Sequence, residues 1–162
     1  MTELFEIKNL SPDLLELETA RVMALIRGII PAGEVHEVGS TAVPGTIGKQ
    51  DIDILVRVPA AAFPAARQVL DSALARDPLQ LSTSDYQGYR VESPLDVAVQ
   101  LTVVDSLHDD LLKFLDVLRS DTVIVQAYNT LKREWNGRPM SEYRQAKDAF
   151  IRSVLATARS SQ

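Results

Sequence analysis

Asp51 and Asp53 stand two residues apart in a run otherwise made of Ile52, Ile54, Leu55, Val56, Arg57 and Val58, with Gly48 before it and Pro59 after it. The density of β-branched and aliphatic residues predicts a strand over 51–58. Residues two apart in a strand share a face, with α-carbons roughly 7 Å apart, so two carboxylates point the same way. Such neighbours raise one another's pKa unless a cation lies between them or both reach water. Two oxygen donors side by side suit Mg²⁺, which keeps open positions for phosphate. The solvated face of an edge strand gives the same alternation, and acid-x-acid is a short and frequent pattern.

Just upstream, Gly39-Ser40-Thr41 follows a strand-like run from Glu34 to Val38. A turn of this kind exposes backbone N–H groups and two hydroxyls, and glycine lets an anion such as phosphate come close. An ordinary tight turn has the same composition. Lys49, delivered by the loop from Pro44 to Gly48, reaches toward a phosphate or stays a solvated loop lysine.

Gly-Ser after one strand and Asp-x-Asp on the next resembles the nucleotidyltransferase fold of the DNA polymerase β type. The longer run, Val38-Gly39-Ser40-Thr41-Ala42-Val43-Pro44-Gly45 with Lys49-Gln50-Asp51-Ile52-Asp53-Ile54-Leu55-Val56, resembles more narrowly the GrpB (UPF0157-like) family of small nucleotidyltransferase-like proteins. The resemblance extends over most of the chain, through Val97–Val104 and a tail spacing of Tyr128, Leu131, Lys132, Tyr143, Lys147 and Phe150. The chain departs from it at Gln100 and Thr102, where many members have His-x-His, and at Asp51, where many have an aliphatic residue.

The resemblance implies Mg²⁺-dependent transfer of a nucleotidyl group from a nucleoside triphosphate to an acceptor. Gly39, Ser40, Thr41 and Lys49 would hold phosphates, and Asp51 and Asp53 the metal. Lys132 and Lys147 would neutralise charge, and Tyr143 would offer a ring to a base. It also implies an alternative, a non-catalytic nucleotide- or phosphate-binding regulatory module linked to coenzyme A metabolism. A structural or oligomerisation protein with an incidental acid pair is the third reading.

The elements that must position these groups read as one α/β (α+β) domain over residues 1–162: a mixed, mostly antiparallel sheet flanked by helices, with a C-terminal helical pair. Ser11 as N-cap and Pro12 at the first helical position open a long helix ending before Pro31. Pro59 to Ala75 reads as a second helix, and Tyr86–Glu92 and Asp96–Asp105 as an antiparallel pair of strands. In the second of these, Asp96 shares a face with Ala98, Gln100 and Thr102. Asp96 is therefore the candidate for a third metal-binding acid, with Glu92 in reserve, although a turn-flanking aspartate reads the same way.

Ser106 is expected to cap a third helix, with His108, Asp109 and Asp110 as a solvated cluster in its first turn. Helices over 121–135 and 141–158 close the chain, and residues 159–162 are expected to fray. Tyr143, Lys147 and Phe150 then share one helix face.

Composition narrows the function classes. The 162 residues carry a formal net charge of −5, which argues against an extended nucleic-acid partner but leaves room for a small anion held by a few cations. With no cysteine, thiolate chemistry and disulfides are excluded. The N-terminus lacks the basic start and apolar block of a signal peptide, and no apolar run approaches a membrane span, so a cytoplasmic protein is expected.

Overall fold

The computed structural model describes residues 2–160. The chain divides into two compact units: one made of Leu10–Gly39 and Asp51–Leu111, the other of the segment up to Asn9, Ser40–Gln50 and the chain from Leu112 onward.

The first is the sheet unit. Helix α1 (Pro12–Ile29) opens as expected, with Pro12 in its first turn and the Ser11 side chain accepting the Leu14 N–H over a long 3.5 Å. Strands β1 (Glu34–Val38) and β2 (Ile52–Val58) follow, then α2 (Phe63–Ala73) after a short 3₁₀ turn at Ala60–Ala62. The expected single helix from Pro59 is thus shorter. Strands β3 (Ala75–Arg76), β4 (Tyr86–Arg90) and β5 (Val97–Val103) complete one sheet in the order β1-β2-β5-β4-β3. All neighbours are antiparallel except β2 and β5, which run parallel.

The β2–β5 register pairs Ile52 with Val97, Asp53 with Ala98, and so on to Val58 with Val103. Paired residues share a face, so Ile52, Ile54, Val56 and Val58 stand beside Val97, Val99, Leu101 and Val103. Val22 and Ile26 of α1 and Phe63, Ala66 and Leu70 of α2 close that face into the core. Each aliphatic side chain so buried contributes about 1.5–3 kcal/mol. The opposite face of β2 and β5 is the polar one, with Asp53, Leu55 and Arg57 beside Ala98, Gln100 and Thr102.

That face has its own lock. The Arg57 guanidinium donates to both Asp109 oxygens, Nε to Oδ1 at 2.9 Å and Nη2 to Oδ2 at 2.7 Å, while Nη1 reaches Glu34 Oε2 at 2.8 Å. The Asp109 carboxylate also accepts the Asp105 N–H at 2.7 Å. Asp109 is 1% exposed, so it belongs to no solvated helix turn. Residues 104–110 form a turn, and the helix expected from Ser106 starts only at Leu111, because Asp109 is drawn onto the sheet.

The second unit is helical: α3 (Leu111–Ser120), which starts at the boundary between the units, α4 (Thr122–Trp135) and α5 (Met140–Ser160). Phe114, Tyr128 and Phe150 pack ring on ring, Tyr128 and Phe150 stacked at 5.4 Å. Phe5 stacks on Tyr143 at 3.8 Å beside Met140. Of the residues expected to fray, 159–162, Arg159 and Ser160 are helical, and residues 161–162 lie outside the described residues. Among the described residues, no helix is long and apolar enough to cross a membrane.

Helix α4 is capped by Asp121, whose Oδ1 accepts the Val123 N–H at 2.9 Å and the Ile124 N–H at 3.4 Å. Asp121→Ala is expected to cost about 1 kcal/mol, read as a lowered urea midpoint with an unchanged slope.

Candidate functional site

The geometry begins where β1 ends. Val38 is the register partner of Asp53, and Gly39 follows Val38 with φ of +80°. This is the left-handed region, where a residue with a side chain is strained. Space requires glycine here as well, because a Cβ built on Gly39 would overlap Asp53 Oδ2. The sequence thus seats the Asp53 carboxylate directly on the backbone of the glycine that starts the Gly-Ser turn.

Asp53 sits among other polar groups of the sheet unit. Burial pushes the Tyr86 phenol up, and the negative charges of Asp53 and Asp77 add to that. Tyr86 therefore stays neutral, and its O–H donates a hydrogen bond to Gln80 Oε1 at 2.6 Å. Asp51 lies one residue before β2, after Gln50 with φ of +60°.

Asp96 lies just before β5, where its carbonyl accepts the Ile52 N–H at 2.8 Å. It precedes by one step the register pair Ile52–Val97, which puts it level with Asp51 rather than Asp53. Beside Asp53 and Leu55 the β5 residues are Ala98 and Gln100. Asp96 and Glu92 are both exposed.

Ser40 and Thr41 form a 3₁₀ turn, Ser40–Ala42. Lys49 Nζ stands 3.7 Å from Glu3 Oε1. Lys132, expected to neutralise charge on a nucleotide, is 2% exposed and donates to the Ile47 carbonyl at 2.6 Å, with its ammonium 3.9 Å from the Tyr128 ring centre. Tyr143 departs from expectation, because its ring is buried on Phe5 and Met140 instead of lying open to a base. Lys147 is half-buried on α5.

The donors fit a metal only in company. Asp51 and Asp53 offer carboxylate oxygens alone, the chemistry a hard divalent cation takes, and such an ion is commonly held by one or two carboxylates together with substrate phosphates. Among the described residues, no group of three or more His, Asp or Glu side chains is placed to hold a metal ion by itself.

Residues the sequence reading passed over are Arg57 and Asn129, and Asp109 it placed in a solvated helix turn. Arg57 carried a signal: a cation on the same strand face as Asp53, amid aliphatics, needs a partner.

Residues 3–157, spanning both units, match the family model described as GrpB protein. The chain belongs to the GrpB family. A UPF0157 protein of Vibrio cholerae is 31% identical over 134 residues, 82% of this chain and 71% of that one. A UPF0157 protein of Halalkalibacterium halodurans is 30% identical over 155 residues, 91% of this chain and 77% of that one. The crystal structure of GrpB from Enterococcus faecalis matches with a TM-score of 0.65 at 23% identity, covering 94% of this chain and 96% of that one. A structure of the Cid1 poly(U) polymerase bound to MgATP matches with a TM-score of 0.50 at 11% identity, covering 79% of this chain and 42% of that one. This GrpB chain therefore has a nucleotidyltransferase-like fold, and that likeness is one of fold alone.

Proposed function

We propose that this GrpB protein is a Mg²⁺-dependent nucleotidyltransferase, moving a nucleotidyl group from a nucleoside triphosphate to an acceptor. The observation that carries the reading is the seat of Asp53 on Gly39. A carboxylate donor and a glycine turn meet there, the two things a metal–phosphate group needs from a protein. Asp51 and Asp53 would hold the metal, which when bound supplies positive charge to the non-bridging phosphate oxygens. Gly39, and Ser40 next in the chain, orient the phosphates through backbone N–H groups and a hydroxyl. Displacement at phosphorus needs no covalent intermediate on the chain, and Asp96 completes the donor set in this reading.

One observation favours a second reading, a nucleotide- or phosphate-binding module without transfer. The two β5 residues beside Asp53 and Leu55 are uncharged, and Asp96 lies one register step earlier.

Titrating ATP, GTP, CTP and UTP into the protein by calorimetry, with and without Mg²⁺, tests both readings. Magnesium-dependent binding that the Asp51→Asn/Asp53→Asn variant loses by about 10–100-fold is the expected result. Binding without pyrophosphate release, over a panel of hydroxyl and phosphate acceptors, selects the module. Binding of no nucleotide removes the transferase reading and leaves a module for a phosphate ligand other than a nucleotide.

A further inference from the structure

The loop between the Gly-Ser turn and the acidic strand is held by two residues of α4, three apart on one face. Asn129 Oδ1 accepts the Ile47 N–H at 3.0 Å, and its Nδ2 donates to the Gly45 carbonyl at 2.8 Å. Lys132 donates to the Ile47 carbonyl at 2.6 Å. The backbone of residues 45–47 is thereby bonded to side chains as it would be to a neighbouring strand. Both side chains are buried, Asn129 at 6% exposure and Lys132 at 2%. Buried polar groups this well matched fix geometry strongly, because breaking one bond strands its partner.

Gly48 ties this clamp to the turn. A Cβ added there would meet Ser40 Oγ at 2.9 Å and Lys132 Nζ at 3.1 Å. The hydroxyl of the turn and the buried ammonium therefore border the same small space, and Gly48 has no side chain to fill it. The Lys8 N–H on the Gly48 carbonyl, at 3.0 Å, fixes the loop from the other end.

We infer that Asn129 is a positioning residue for phosphate recognition, setting with Lys132 and Gly48 where the Ser40 hydroxyl stands for the oxygens of a triphosphate. This rests on the nucleotide reading above. Asn129 touches no phosphate itself and acts through the Gly45–Gly48 backbone.

The test uses the whole chain, with Mg·ATP and inorganic tripolyphosphate as probes and calorimetric affinity as the readout. Asn129→Leu is expected to weaken both probes about tenfold while amide exchange at Ile47 accelerates and exchange at Ile54 and Val99 stays slow. Gly48→Ala, whose new methyl is met by the ends of two side chains, the Ser40 hydroxyl and the Lys132 ammonium, is expected to fold with a modestly lowered thermal midpoint and to bind several-fold more weakly. A merely structural role would move stability and leave the affinity of the folded protein alone. Unchanged affinity in both variants, with exchange at Ile47 accelerated in Asn129→Leu, overturns the inference. Wild-type protein that binds neither probe overturns the nucleotide reading instead, and this inference with it.

Discussion

Gly39→Ala should fold and yet lose Mg·ATP binding by about 10–100-fold, the usual consequence of displacing a metal-supporting group. Two effects coincide at this position. At φ of +80° an alanine carries left-handed strain, of about 1–3 kcal/mol. Its Cβ would also occupy the place of Asp53 Oδ2, so the carboxylate must leave its seat. Gly137→Ala separates the two, because Gly137 has φ of +82° with nothing within 4 Å of a built Cβ. That control should lower the thermal midpoint to a similar degree and leave binding intact. Equal affinity in both variants would show that the Asp53 seat does not serve nucleotide binding, and the proposed function would lose its main support.

Asp109→Ala should be the most destabilising single substitution on the polar face, at about 3 kcal/mol, because it leaves the half-buried Arg57 guanidinium without its main counter-charge. The Glu34 carboxylate that remains is on an exposed side chain. The pH dependence follows from the same contacts. Burial raises the Asp109 carboxyl, but the Arg57 hydrogen bonds, the Asp105 N–H, the Arg57 charge and Thr102 outweigh it and hold the carboxyl below its ordinary value. A carboxyl that is more acidic folded than unfolded stabilises the fold fully above its unfolded pKa. That stabilisation disappears as pH falls through the lower, folded pKa. Urea unfolding from neutral pH into the acid limb should therefore show the wild type losing this increment, and Asp109→Asn should lack that part of the slope. A wild-type slope in Asp109→Asn would mean that the pair contributes nothing to acid sensitivity.

Local pattern made much of the fold legible. Ser11-Pro12 marked the start of α1, the aliphatic runs marked β2 and β5, and the helix expected over 121–135 is α4. The glycine at position 39 and the acid at 53 were both visible as candidates. Their contact was not, because it depends on the register of β1 against β2. The parallel pairing of β2 with β5 was equally hidden, and it decides that Asp96 lies level with Asp51. Asp109 read as solvated because its partner Arg57 is 52 residues away, and no spacing rule reports such a pair. Lys132 and Tyr143 had the right helical spacing to share a purpose with their neighbours. Spacing says which residues share a face and leaves open whether that face is buried, and here the lysine and the tyrosine turned inward.

The bonds from Asn129 and Lys132 to the Gly45–Ile47 backbone span 82 to 85 residues of chain. A ribosome therefore releases the Gly-Ser turn and the acidic strand long before the side chains that give the adjoining loop its shape exist. Closing so long a loop is entropically late as well as chronologically late. Nascent chains halted before Asn129 would carry Gly39, Asp51 and Asp53 without the clamp on that loop. Competence for nucleotide, in the proposed function, would then arrive only once Asn129 and Lys132 have been made, so chains halted before them would not sequester triphosphates.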